Sequence, residues 1–123
     1  MGVLMNILLC SPDKEIQMRQ FHALQMKLKV TYQLCSTAQE CRNVIKSGFH
    51  PNFAIIDYVC PPGNGIDVIM HIRQKEELDA TRILLMIDEH DYVKAQAMVT
   101  MLKAEIQEKP LGLFDMIRFM RGS

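Results

Sequence analysis

Short apolar runs alternate with longer amphipathic stretches along this chain, and the two patterns predict different elements. Apolar runs bounded by turn residues predict strands at residues 6–10, 30–34, 53–57, 83–87 and 104–108. Apolar residues at helical spacing predict helices at residues 14–27, 37–47, 66–75, from about 91, and 113–121. This alternation is typical of a parallel sheet with helices on both faces. We therefore predict an α/β fold in one domain, residues 1–123.

The helical spacing also predicts which side chains face the core. In the first helix they are Ile16, Phe21, Leu24 and Leu28, and in the second Cys41, Val44 and Ile45. The third helix has apolar residues at Ile66, Ile69, Met70 and Ile72, and the fourth has Val93, Ala97 and Met101 at helical spacing. Either Ser36 or Thr37 can cap the second helix, because a hydroxyl oxygen accepts a hydrogen bond from a free backbone N–H.

The third predicted strand ends in a carboxylate. The apolar run 53–56 leads directly into Asp57, and a turn rich in proline and glycine follows at 61–65. Open α/β sheets place their binding and reacting groups at the carboxyl ends of parallel strands. Asp57 is therefore the leading candidate for a functional residue.

The charge balance argues against nucleic acid and membrane partners. Lysine plus arginine and aspartate plus glutamate number 14 each, which gives zero formal net charge. A neutral domain has no electrostatic attraction toward nucleic acid or an anionic membrane. The apolar start, residues 1–10, is too short to span a membrane and lacks the features of a signal peptide. We predict a cytoplasmic protein.

The four cysteines lack the spacing of a zinc site or a disulfide framework. Cys10, Cys35, Cys41 and Cys60 contain no Cys-x-x-Cys pair, and two of them end apolar strands. We expect buried, reduced thiols.

The order of these features resembles the receiver domain of bacterial response regulators, of the chemotaxis-regulator type. The resemblance covers essentially the whole chain. It rests on Asp57 at the end of the third strand, on Pro61 and Gly65 four and eight residues beyond it, and on the pair Lys109-Pro110 after the fifth strand. It implies a flavodoxin-like, five-stranded parallel sheet of order 2-1-3-4-5, with helices on both faces and the site at the carboxyl edge.

The resemblance also implies roles for these residues. In receivers, the strand-three aspartate accepts a phosphoryl group from a histidine kinase, and two acidic residues after strand one hold Mg²⁺. A hydroxyl side chain after strand four and a lysine after strand five contact the phosphoryl oxygens, because charge on the transferring group must be neutralised. Asp57 is then the candidate phosphoacceptor, and Lys109 is the candidate phosphoryl-contacting residue. Because the fold brings the two strand ends together, we expect Lys109 to lie close to Asp57, whether for phosphoryl transfer or in a structural ion pair.

The region after the first strand departs from the family pattern. It reads Ser11-Pro12-Asp13, so the acidic pair falls on Ser11 and Pro12, or, with a shift of one residue, only Asp13 remains acidic. Asp13 and Asp57 are the remaining candidate ligands for Mg²⁺, which we expect to bind weakly because at most one of the two metal-holding acids of the family remains.

Two switch positions are altered as well. Ile87 stands at the position of the phosphoryl-contacting hydroxyl and cannot donate a hydrogen bond. Ile106 stands at the position of the aromatic residue whose movement reports phosphorylation in the family. The resemblance therefore implies a divergent member with a degenerate phosphorylation site.

Asp88, directly after Ile87, has two interpretations. Asp13, Asp57 and Asp88 can supply an unorthodox oxygen-ligand set for Mg²⁺ or Ca²⁺. Alternatively, Asp88 or Asp91 caps the following helix, which is the interpretation that we favour. The histidines have no ligand spacing, and we expect solvated side chains at His22, His50, His71 and His90.

Receivers use the surface of the fourth helix, fifth strand and fifth helix for dimerisation and for docking output proteins. The glycine that the family usually has before strand five is absent, and Leu102 and Lys103 stand there, so we expect the fourth helix to run long or end irregularly. The methionines on these elements are either core or interface residues: Met98, Met101, Met116 and Met120.

Three functional hypotheses follow, none of them an enzyme. The first is a receiver-like signalling domain of a bacterial two-component phosphorelay, acting by interaction with a histidine kinase, an output partner or a second copy of itself. The alternative is a phosphoacceptor that uses Asp57 with Mg²⁺. The remote alternative is a flavin- or nucleotide-binding protein, which would need a glycine- or hydroxyl-rich loop after strand one. Residues 11–14 contain no glycine, and we favour the first hypothesis.

Overall fold

The computed structural model describes residues 5–13, 15, 18, 21–22, 25–26 and 29–122. Within these residues the strands are β1 (Met5–Cys10), β2 (Val30–Cys35), β3 (Phe53–Asp57), β4 (Val59–Cys60), β5 (Gly63–Asn64), β6 (Arg82–Ile87) and β7 (Glu105–Glu108). Five of them form one parallel sheet in the order β2-β1-β3-β6-β7. This confirms the predicted flavodoxin-like sheet and its order 2-1-3-4-5.

Strands β4 and β5 form a separate antiparallel ribbon directly after β3. The ribbon was not predictable from the sequence, because a strand of two residues is too short to show the alternating pattern by which a strand is recognised. The ribbon carries the chain from the end of β3 to the start of the next helix.

Four helices are described over their whole length: α1 (Ala38–Lys46), α2 (Gly65–Arg73), α3 (Glu89–Met101) and α4 (Leu113–Arg121). A 3-10 turn at Glu76–Leu78 precedes β6. Thr37 is the N-cap of α1, and its hydroxyl accepts a hydrogen bond from the Glu40 N–H, so the predicted hydroxyl cap is confirmed. Asn64 caps α2 in the same way.

The predicted first helix is only partly described. Helical backbone is present at Glu15, Met18, Phe21, His22 and Gln25. Phe21 is fully buried, as its place in the apolar pattern predicts. The other residues predicted to face inward, Ile16, Leu24 and Leu28, lie outside the described residues.

The sheet separates two clusters of buried side chains. Alternate residues of each strand point to opposite faces, so Leu8 and Ile56 pack with α1, α2 and α3, whereas Ile7 and Ile55 pack with Phe21 and α4. All residues of β3 are buried, as expected for the central strand of a sheet covered on both faces.

The fourth predicted helix is present, but it does not bury the apolar residues at helical spacing that indicated it. Val93, Ala97 and Met101 are exposed, and the buried residues of α3 are Ala95 and Val99. Alanine and other small or apolar residues occur on both sides of this helix, so two sets of residues have helical spacing. Packing against the sheet buries the set that contains Ala95 and Val99.

The helix also does not run long or end irregularly, as the missing glycine led us to expect. Helix α3 ends at Met101, and Lys103 takes the left-handed conformation (φ 56°) that glycine usually has there. The Arg73 guanidinium donates to the carbonyls of Leu102 and Lys103 at 2.8 and 3.0 Å. These bonds satisfy backbone acceptors that every helix end leaves free.

The expectation of reduced thiols requires a correction. Cys10 and Cys60 form a disulfide, because the ribbon brings Cys60 back over the end of β1. Cys35 and Cys41 are buried thiols outside the disulfide, as predicted. A hydrogen bond with Cys35 and burial raise the pKa of the Cys41 thiol.

None of the helices in the described part of the chain has the length and apolarity that a membrane crossing requires.

Candidate functional site

The carboxylate of Asp57 lies at the carboxyl edge of the sheet and is surrounded by donors. Its side chain is only 5% exposed. Oδ1 accepts from the Lys109 ammonium at 2.7 Å and from the Val59 N–H at 3.0 Å. Oδ2 accepts from the Ser11 hydroxyl at 3.1 Å. The sequence predicted that the fold brings Asp57 and Lys109 together, and the structure places them in direct contact.

The ends of three strands position these groups. Backbone bonds run from the Ser11 N–H to the Cys35 carbonyl and from the Lys109 N–H to the Ile87 carbonyl, both 2.9 Å long. Each of these bonds continues the ladder of a parallel strand pair beyond its last residue. Ser11 and Lys109 are therefore held on opposite sides of Asp57 by the sheet itself.

The Ser11 hydroxyl makes two hydrogen bonds within the site. Besides donating to Asp57, its hydroxyl oxygen accepts a hydrogen bond from the Asp13 N–H at 3.1 Å, and the residue is buried. The Asp13 side chain is exposed. Sequence reasoning considered Ser11 only as a lost acid, although serine as a local donor and acceptor is a common feature of turns.

Gly65 is required at its position by close approach to Asp57. A Cβ atom built on Gly65 would lie 2.4 Å from the Asp57 carbonyl oxygen and 2.9 Å from Leu85 Cδ1. The Gly65 N–H also donates to the Tyr58 carbonyl at 2.8 Å. The glycine lets α2 begin directly against the end of β3, which explains its spacing from Asp57.

The two altered switch positions have apolar surroundings. Ile87 is fully buried in the core cluster that also contains Leu85 and Ile56. Ile106 is partly buried and packs against the same cluster. Neither side chain offers a polar atom to the Asp57 carboxylate.

Asp88 occupies the N-cap position of α3, but its side chain makes no capping hydrogen bond. Among the described residues, Asp88, His90 and Asp91 are the one group of three potential metal ligands whose atoms lie within 4.8 Å of one another. Asp91 also accepts from Lys94 at 3.1 Å, a contact that raises the pKa of Lys94.

His71 differs from the expected solvated histidine. Its Nε2 is buried and lacks a hydrogen-bond partner, and burial lowers its pKa. The imidazole is therefore held in the neutral form more strongly than a solvated histidine.

The surface of α3, β7 and α4 carries exposed apolar side chains. Val93, Met101 and Phe114 are 82%, 78% and 76% exposed. Of the four methionines, Met98 and Met101 are exposed, Met116 is fully buried, and Met120 packs partly buried against the core. Neither Val93 nor Phe114 was predicted from the sequence to be exposed.

Comparisons with known proteins identify the fold through structure alone. No protein-family model matches the chain, and no curated protein matches it. The chemotaxis response regulator CheY4 of Vibrio cholerae superposes with a TM-score of 0.82 at 17% identity, covering 97% of this chain and 98% of that one. The response regulator TrrA from Thermotoga maritima, in complex with Mg(2+)-BeF, gives 0.75 at 19% identity over 95% and 96% of the two chains.

An adenylate cyclase from Rhodopirellula baltica gives a TM-score of 0.83 at 20% identity, over 97% of this chain and 86% of that one. Similarity of this extent, together with the strand order and the aspartate–lysine contact at the carboxyl edge, identifies the architecture. The chain has the fold of the response regulator receiver domains, the CheY-like fold.

Proposed function

We propose that the chain is a receiver-like signalling domain of a bacterial two-component system that acts by protein–protein interaction, with little or no orthodox phosphorylation. It has no catalytic activity of its own in this proposal. The receiver fold supports the signalling role. The observation that carries the mode of action is the occupation of the Asp57 carboxylate by three donors of the protein.

The donors leave Asp57 poorly suited to hold a metal. Mg²⁺ needs oxygen ligands at short distance and near-octahedral geometry. At Asp57, one carboxylate oxygen binds the Lys109 cation and the other binds a hydroxyl. Ser11 offers a neutral oxygen where a carboxylate would be needed, so the residues present do not fit the Mg²⁺ site that the receiver fold implies.

The partner surface that we propose is the exposed apolar row on α3. Val93, Ala97 and Met101 recur every four residues and share one side of the helix. Exposed apolar side chains grouped in this way are typical of protein interaction sites. Phe114 on α4 adds a large exposed aromatic ring to the same group of elements. The partner is a signalling protein or a second copy of the chain.

A magnesium titration tests this mode of action. The thermal unfolding midpoint of the native chain and of Asp57→Asn is measured with and without millimolar Mg²⁺. A ligand that binds only the folded state raises the midpoint. We expect no Asp57-dependent rise. A Mg²⁺-induced rise that is lost in Asp57→Asn would establish the metal site and overturn the proposal.

A second candidate function, the phosphoacceptor, is favoured by one observation. Lys109 Nζ lies 2.7 Å from Asp57 Oδ1, which is close enough to neutralise charge on a group carried by that oxygen. In that function Lys109 would release the carboxylate during transfer and bind the new phosphoryl oxygens. The same titration separates the two candidates, because transfer of a phosphoryl group depends on a metal to neutralise its charge.

A further inference from the structure

We propose that the Cys10–Cys60 disulfide is a reversible redox site that controls how tightly the Asp57 carboxylate is held. The disulfide joins the residue before Ser11 to the residue after Val59. Ser11 and Val59 are the two neutral donors to Asp57. One covalent bond therefore ties the ribbon that carries Val59 to the end of the strand that leads into Ser11.

The position of Cys60 makes the effect local. Cys60 lies in the two-stranded ribbon β4–β5, whose two strands pair only through Val59 with Asn64 and Cys60 with Gly63. A ribbon of this size is marginally stable alone. The disulfide ties it to the end of β1, fifty positions away in sequence. Its loss would leave the ribbon, and with it the Val59 N–H, held by fewer contacts.

The surroundings of Cys10 and Cys60 also suit the two thiols that reduction of the disulfide would produce. Cys10 Sγ lies 3.6 Å from the Thr37 carbonyl oxygen, so a thiol at Cys10 can donate a weak hydrogen bond to it. Cys60 is fully buried, where a reduced cysteine behaves as a small apolar side chain. The fold accommodates the dithiol without an unpartnered polar group at Cys10.

The chemistry is thiol–disulfide exchange with a dithiol reductant. One thiolate of the reductant attacks a sulfur of the Cys10–Cys60 bond and forms a mixed disulfide, releasing the other cysteine as a thiolate. The second thiolate of the reductant displaces the remaining cysteine. The protein gains two electrons and two protons, and the reductant leaves as its own disulfide.

A reductant can reach Cys60 through the turn of the ribbon. Pro61, Pro62 and Gly63 directly follow Cys60 and are exposed. Local opening of this turn exposes Cys60 without unfolding the sheet. Cys35 and Cys41 are buried in the same core cluster, and their hydrogen-bonded thiols have no such turn beside them.

The first measurement establishes the bond. Thiols of the native chain are trapped with an alkylating reagent under denaturing conditions, before and after treatment with dithiothreitol, and counted by intact mass. The structure predicts two alkylated cysteines before reduction, Cys35 and Cys41, and all four afterwards. Four alkylated cysteines in protein that has never met a reductant would overturn the proposal.

The second measurement tests control of Asp57. Hydrogen exchange of the Val59 amide is followed by NMR in the oxidised and reduced protein. We expect exchange to be at least about tenfold faster after reduction, because the ribbon opens more often. Cys60→Ser should exchange at the fast rate in both conditions, whereas the matched variant Cys41→Ala should keep the response.

Equal exchange rates of the Val59 amide in oxidised and reduced native protein would overturn the control of Asp57. This comparison uses the native sequence, so it is decisive even where a variant fails to fold. The readout involves neither Mg²⁺ nor phosphorylation, and its outcome is independent of the proposed signalling mode.

Discussion

The Ser11 hydroxyl donates a hydrogen bond to Oδ2 of Asp57 at 3.1 Å, from the first residue after β1. A serine at this point donates a hydrogen bond to the carboxylate, whereas an acidic residue would bring a second negative charge and an oxygen that can bind a metal ion. Whether position 11 is a serine or an acidic residue therefore decides what the edge of the sheet can bind.

Ser11→Asp should convert the edge of the sheet into a Mg²⁺ site. Without metal, a second carboxylate beside Asp57 replaces a donor, so we expect the free energy of unfolding to fall by about 1–3 kcal/mol. Millimolar Mg²⁺ should restore part of this loss, because two carboxylates form a ligand set for the ion. Urea unfolding with and without Mg²⁺ measures both effects. Ser11→Asn is the matched neutral control, and an equal Mg²⁺ response in both variants would argue against the account.

Lys109→Met should destabilise the fold strongly. It leaves the buried Asp57 carboxylate without its cation, and breaking a buried ion pair in this way typically costs about 3 kcal/mol or more. Combining it with Asp57→Asn should recover much of the loss, since the unpaired charge is then absent. A double-mutant cycle from urea unfolding measures the coupling. Additive effects would show that the Lys109–Asp57 contact contributes nothing specific.

Lys94→Met is the control for Lys109→Met, because it removes the cation of an exposed ion pair and not of a buried one. Lys94 pairs with Asp91 at 3.1 Å but is largely exposed. Because solvent screens exposed pairs, this change should alter the unfolding free energy little.

Gly65→Ala should weaken the junction between β3 and α2. The new methyl group would meet the Asp57 carbonyl oxygen at 2.4 Å, and the backbone must move to admit it, which we expect to lower the free energy of unfolding by about 3 kcal/mol. Gly112→Ala is the control, since its Cβ would lie 3.4 Å from Asp115 Oδ2, an ordinary contact. Similar losses in both variants, measured by denaturant unfolding, would contradict this role of Gly65.

Lys103→Gly should stabilise the chain. Lys103 adopts φ 56°, a conformation in which a Cβ atom costs about 1 kcal/mol relative to glycine. The side chain is exposed, and the carbonyl that accepts from Arg73 is retained. A rise of about 1 kcal/mol in the free energy of unfolding is expected. Lys103→Ala, which keeps the Cβ atom, should remain near the native value; a gain of the same size there would point to the side chain instead.

The strands and the aspartate–lysine contact were predictable, because they follow from strong local patterns and from topology. The run 53–56 is apolar throughout and leads into Asp57 at the end of the third strand. In a sheet of order 2-1-3-4-5 the ends of the third and fifth strands lie at the same edge, two strands apart, a gap that a lysine side chain can span. Asp57 and Lys109 occupy those positions.

The errors have different physical causes. The buried face of α3 was not predictable from the pattern, because Val93, Ala97 and Met101 have helical spacing and so do the core residues Ala95 and Val99, and only packing distinguishes the two sets. The Cys10–Cys60 bond was missed because it depends on a ribbon too short to leave a periodic signal.

The central claim is that Asp57 is held by the protein and is not used for orthodox phosphotransfer. Intact-mass analysis after incubation with acetyl phosphate and Mg²⁺, beside an Asp57→Asn control, tests it most directly. The account predicts the same mass before and after incubation in a protein that circular dichroism shows to be folded. One added phosphoryl group on the native chain and none on Asp57→Asn would contradict it.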